Sequence, residues 1–135
     1  MMLNVNSPAY FSREFFVDND VYRMCQSLRF FMKDKTYSDC LNIIGVMPVA
    51  APEHILAAGA WKEEIKFLGK NTCASICIRM NFDEYANADS AGKVNMMAET
   101  IRAAVKAVSK KAKVKFDFVS FEKDFDLFLS RESER

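Results

Sequence analysis

Between Thr72 and Phe82 the chain alternates strictly: Ala74, Ile76, Ile78, Met80 and Phe82 fall on one side, Ser75, Cys77, Arg79 and Asn81 on the other. Successive side chains of an extended chain point to opposite faces, so this run predicts a strand with one face in a core. An amphipathic helix follows at once. From Asp89 or Ser90, either able to cap, Val94, Met97, Ala98, Ile101, Ala104, Val105 and Val108 form one stripe at helical spacing. After the basic link Lys110 to Lys115, Phe118, Phe121, Phe125 and Phe128 recur at three, four and three, which predicts a last helix presenting an aromatic ridge.

The upstream half is less regular. Ala9 to Val17 reads as a strand, with Phe11, Phe15 and Val17 on one side and Arg13 interrupting it. Asp18 or Asn19 caps a helix whose stripe is Val21, Cys25, Leu28 and Met32 and which ends near Lys35. Leu41 to Val46 is apolar on both faces apart from Asn42 and Gly45, as in a central strand, and Pro48 closes it. Residues 53–69 satisfy two patterns. Pro52 near a start, Gly69 at an end, and Ile55, Ala58, Trp61, Ile65 and Leu68 between them fit an amphipathic helix. Trp61, Ile65 and Phe67 also share one face of an extended chain that Gly69-Lys70-Asn71 would turn back as a hairpin. Taken together, the chain is expected to be a single α+β domain over 1–135: an antiparallel sheet of about four strands packed against about three helices, with 1–8 and 130–135 flexible.

Composition removes several classes of function. At 135 residues, half of them hydrophobic, the chain can build a core without metal or disulfide staples. The net charge of +1 gives no long-range field to attract nucleic acid or an anionic membrane. No window approaches the roughly 20 apolar residues of a membrane-spanning helix. Met1 to Ala9 lacks the basic start and apolar run of an export signal, so a cytosolic protein is expected. Cys25, Cys40, Cys73 and Cys77 then read as reduced thiols.

No catalytic constellation emerges. His54 is the one histidine, and it sits between Glu53 and Ile55 without a nucleophile motif, so an enzyme reading would hang on it alone. Cys73 and Cys77 share a strand face, but tetrahedral zinc favours closer pairs on a turn. Neither a metal nor a cofactor is expected. Asp83, Glu84 and Asp89 around Tyr85 form an acidic, aromatic corner that suits a basic partner surface; the plainer reading is a helix start favoured by negative charge. Arg102, Lys106 and Lys110 recur every four residues, and the pattern favours a solvated face over a phosphate-binding one, because no aromatics interleave for base stacking.

The run Phe82-Asp83-Glu84-Tyr85-Ala86-Asn87-Ala88-Asp89, the long helix to Lys111, Lys115-Phe116-Asp117-Phe118 and Phe121-Glu122-Lys123-Asp124 resemble the carboxyl half of bacterial polymorphic-toxin immunity proteins, specifically the immunity protein 44 family. Tyr37, Asn42-Ile43-Ile44, Lys62-Glu63 and Ile76 to Met80 are similar too. The resemblance implies a cytosolic, non-enzymatic antidote of contact-dependent growth inhibition or a related system, which binds a cognate toxin carboxy-terminal domain, a nuclease among the possibilities. It also tips the Trp61 segment towards a strand. The candidate partner-binding residues are Asp83, Glu84, Tyr85, Asp89 and Trp61. The rival expectation is a regulatory or small-molecule module with a pocket lined by Phe118, Phe121 and Met97.

Overall fold

A computed structural model describes residues 1–5, 18–49 and 64–133. The described elements are β1 (Met2–Val5), α1 (Asn19–Met32), β2 (Ile43–Val49), β3 (Glu64–Leu68), β4 (Cys73–Arg79), α2 (Phe82–Asn87), α3 (Ser90–Lys111) and α4 (Phe118–Ser133). The strands form one sheet in the order β1-β2-β4-β3. The α+β class and the number of strands among the described residues agree with expectation, although β1 is not one of the strands expected, and the sheet is mixed rather than antiparallel. β1 pairs parallel with β2, β2 pairs parallel with β4, and only β3 runs antiparallel to its neighbour β4. Parallel neighbours require a crossover, and α1 supplies the one between β1 and β2.

The carboxyl end of the ambiguous segment resolves as strand. Glu64–Leu68 pairs with β4 across a turn in which Gly69, Lys70 and Asn71 all have positive φ, at 59°, 56° and 68°. Three consecutive left-handed residues forbid a helix from continuing there. Residues 53–63 of that segment, and the strand expected over Ala9 to Val17, lie outside the described residues.

Rows of side chains cross the sheet in register. Leu3, Ile44, Ala74 and Phe67 make one row, and Val5, Val46, Ile76 and Ile65 the next, all on the face that meets the helices. Two strand boundaries differ from the reading of the sequence. β2 runs through Pro48, which pairs with Ile78 in the parallel ladder with β4. Met80 and Phe82 are buried as expected, but Phe82 opens α2 instead of extending β4.

α1 buries Val21, Met24, Leu28 and Met32, so Met24 takes the central place expected of Cys25. Both positions fit the helical spacing, and the longer side chain turns inward while Cys25 rests at the margin of the core. α3 buries Met97, Ala98, Ile101, Ala104, Val105 and Val108, as its stripe requires, and Val94 is only partly covered. α4 inserts Phe121, Phe125 and Phe128 between α1 and α3. Phe121 stacks on Phe125 at 5.6 Å, Tyr37 meets Phe121 edge-on at 5.6 Å, and Phe31 meets Phe128 at 5.5 Å. The Tyr37 hydroxyl donates to Asp124 Oδ2 at 2.7 Å, tying the loop after α1 to α4. Burial, and then that carboxylate, push the Tyr37 phenol far above its ordinary range. Asp117 starts α4 by accepting from the Ser120 N–H at 3.1 Å and its hydroxyl at 2.7 Å, and these bonds hold its carboxyl below the usual range.

Two tests follow from this packing. Phe125→Ala empties a fully buried site and should cost about 3–5 kcal/mol in chemical denaturation, whereas Val119→Ala on the exposed side of α4 should change stability by under about 0.5 kcal/mol. Burial pushes the Cys25 thiol up to about 11, from 9.0. Burial, then the charges of Asp18 and Cys25, push the Tyr85 phenol up to about 12, from 10.0. Each group therefore holds its proton longer folded than unfolded, so its contribution is complete below the unfolded value and is lost as pH climbs towards the folded one. Denaturation midpoints should begin to fall near pH 9 in the wild type. In Cys25→Ala the part of that fall assigned to the thiol should be missing, leaving the decline that begins near pH 10.

Candidate functional site

α2 and α3 begin in quick succession, and short polar side chains cap both. Asn81 accepts from the Glu84 N–H at 3.0 Å and Asp89 from the Gly92 N–H at 2.7 Å. Asp83, Glu84 and Asp89 are exposed around these starts, so the acidic corner exists as a surface. Its carboxylates also complement the helix dipoles, so the plainer reading holds alongside.

Tyr85 is not part of that surface. It is 2% exposed, because Phe82 and Tyr85 are one helical turn apart on the inner side of α2 and both enter the core. Lys93 Nζ lies 5.8 Å from its ring centroid. Trp61 lies outside the described residues, as does His54.

Two further carboxylates join the corner. Asp18 caps α1 by accepting from the Val21 N–H at 2.9 Å, and Asp20 occupies the first turn. The Ser90 hydroxyl lies 3.0 and 3.1 Å from the Asp18 carboxylate oxygens and 2.7 Å from Asp20 Oδ2, so the starts of α1 and α3 are held side by side. The pattern Asp18-Asn19-Asp20 announces a helix start in the sequence, but nothing local brings it to a second helix start 70 residues later.

From this corner an open groove of about 960 Å³ runs between the amino-terminal halves of α1 and α3 and ends against Leu129 and Glu132 of α4. Met24, Val94 and Ala98 give it an apolar floor, and Asp20, Arg23 and Asn95 line its rim. On the outward side of α1, Tyr22 and Phe30 are 64% and 70% exposed, with Lys33 Nζ 4.2 Å over the Phe30 ring. Exposed aromatics beside a groove are the residue types that anchor protein interfaces. Reading the sequence missed them, although both fall off the core stripe of α1, which is the signal that could have found them.

The other constellations take their plainer form. Phe121 and Met97 are sealed in the core and do not line the groove, so the pocket expected at Phe118, Phe121 and Met97 is replaced by aromatic packing. Arg102 bonds Asp126 at 2.7 Å and lies 5.0 Å over Phe125, while Lys106 and Lys110 face solvent. The four cysteines are free thiols, and among the described residues no group of three or more His, Cys, Asp or Glu side chains is placed to hold a metal ion. Among the same residues no helix is long and apolar enough to cross a membrane.

The sequence model of immunity protein 44 matches residues 1–131. Comparisons with curated proteins and with solved structures return no match. The family pattern thus spans the whole described sheet and nearly all of the helical layer, including the acidic corner and the groove apart from Glu132, and the chain belongs to the immunity protein 44 family.

Proposed function

We propose that this chain is a stoichiometric, non-catalytic antidote that binds the carboxy-terminal domain of a cognate toxin in the bacterial cytosol and covers its active site or substrate path. The toxin would be delivered by contact-dependent growth inhibition or a related route. Family membership supports the class, and the acidic corner is the observation that carries the reading further. Exposed Asp83, Glu84 and Asp89 stand at one end of the molecule, where Ser90 gathers Asp18 and Asp20 as well. Such a concentration of carboxylates on a chain of net charge +1 favours a basic partner surface, and electrostatic complementarity raises both specificity and association rate. If the toxin is a nuclease, its substrate cleft must attract phosphates, and these carboxylates would occupy their place. Inhibition then needs no chemistry from this chain, only occupancy.

Co-expression of this chain with the toxin domain encoded beside it should restore growth, and titration of toxin activity should end at one antidote per toxin. Asp83→Ala combined with Glu84→Ala should weaken the complex by about 10-fold and flatten its dependence on salt, chiefly through the association rate. Thermal stability should fall only slightly, because both side chains are exposed and the dipole they complement belongs to a helix of 6 residues. Unchanged affinity in that double variant would remove this part of the corner from the interface.

A further inference from the structure

The groove between α1 and α3 is half filled by the protein itself. Phe128 against Phe31, and Asp126 and Phe125 against Arg102, place the middle of α4 over the last turn of α1 and the middle of α3. Leu129 and Glu132 line the groove together with Ser27 and Ala98, so α4 runs opposite to α3 and α1 and its last turn closes one end of the open stretch. That stretch extends to Asp20 and Ala91, about eight residues of each helix, or ~12 Å at 1.5 Å per residue.

We propose that the open half of this groove receives a short amphipathic helix of the toxin domain, apolar along one face and carrying lysine or arginine in its last turn. The proposal rests on the immunity reading and deepens it by naming the docking surface and the chemistry of its occupant. The filled half shows what the groove accommodates: a helix presenting large apolar side chains at three- and four-residue spacing, laid antiparallel to both walls. The open half keeps the same walls and an apolar floor of Met24, Val94 and Ala98.

Charge fixes the direction of the occupant. A helix continuing the line of α4 brings its amino terminus to the end of α4, where the carbonyls carry partial negative charge. Its carboxyl end then meets the starts of α1 and α3, where Asp18, Asp20 and Asp89 are gathered. The occupant's own dipole and these carboxylates favour cations in that last turn, and the carboxylates offset the partial positive charge at the starts of α1 and α3. Arg23 on the wall and Lys93 beside Tyr85 oppose a basic occupant in part, but the carboxylates stand at the end where the cations would arrive. Tyr22, exposed at the rim, supplies an aromatic edge to cover the seated helix.

The test uses the full chain and, as probe, the carboxy-terminal toxin domain encoded beside its gene. Val94→Arg places bulk and positive charge on the groove floor and should weaken binding ~100-fold and abolish protection in co-expression, as loss of a central interface contact does. Should that variant melt early, Asn95→Arg on the exposed rim makes the same test without touching packed atoms, and a loss of at least ~10-fold is expected there. Val119→Arg, on the outer side of α4, should bind as wild type. Wild-type affinity in both groove variants overturns the proposal and leaves the immunity reading standing. A wild-type chain that neither binds nor protects overturns both. A wild-type dimer in sedimentation that Val94→Arg makes monomeric assigns the groove to a second copy, and that also overturns the proposal.

Discussion

The apolar face of the mixed sheet, covered by α1 and α3, is the constraint from which the rest of the molecule follows. β1, β2 and β4 run the same way, and α1, which follows β1 in the chain, and α3, which follows β4 through α2, pack across one face. Two helices that return over parallel strands must themselves start at the same end. That is why Ser90 meets Asp18 and Asp20 although some 70 residues separate them. The acidic corner is thus a product of strand direction, and it lies at the carboxyl edge of parallel strands, where open α/β sheets also tend to place their ligands.

The same arrangement creates the groove. Two parallel helices side by side leave a furrow on their outer surface, and α4 covers only part of it. Its phenylalanines reach the core through that furrow, so α4 serves as a second layer over α1 and α3 and the sheet is left on the far side. The aromatic stack from Tyr37 through Phe121 to Phe125 anchors this layer, and the Tyr37–Asp124 bond registers it against the loop after α1. Shifting α4 by one turn would break that bond and misplace Phe128 from Phe31, so the length of groove left open follows from the packing of the closed half.

Carboxylates at helix starts serve two physical ends here. Asp18 and Asp89 each satisfy an otherwise unpaired backbone N–H, so their presence is explained by local stability alone. Asp83 and Glu84 complement a dipole without capping it, and both remain exposed. A partner that reads negative charge would use groups the fold already needs, which couples the recognition surface to the stability of the helices beneath it.

Much of the architecture was legible from residues alone, wherever a period runs long enough to have one reading. The stripe of α3, the phenylalanine ridge of α4, the alternation of β4 and the cap at Asp89 are all patterns within a single element, and local geometry dictates them. Strand direction, the passage of β2 through Pro48, the choice of Met24 over Cys25 and the inward turn of Tyr85 depend on what lies across from each residue. The four residues of β1 are too few to show any period. Likewise, the acidic run at Asp83 to Asp89 could be read directly, while its junction with Asp18 and Asp20 and the groove beside it could not. Periodicity decides which face of an element is apolar, because backbone geometry is local; which faces meet, and what surface they leave, is decided by long-range packing that only the folded chain expresses.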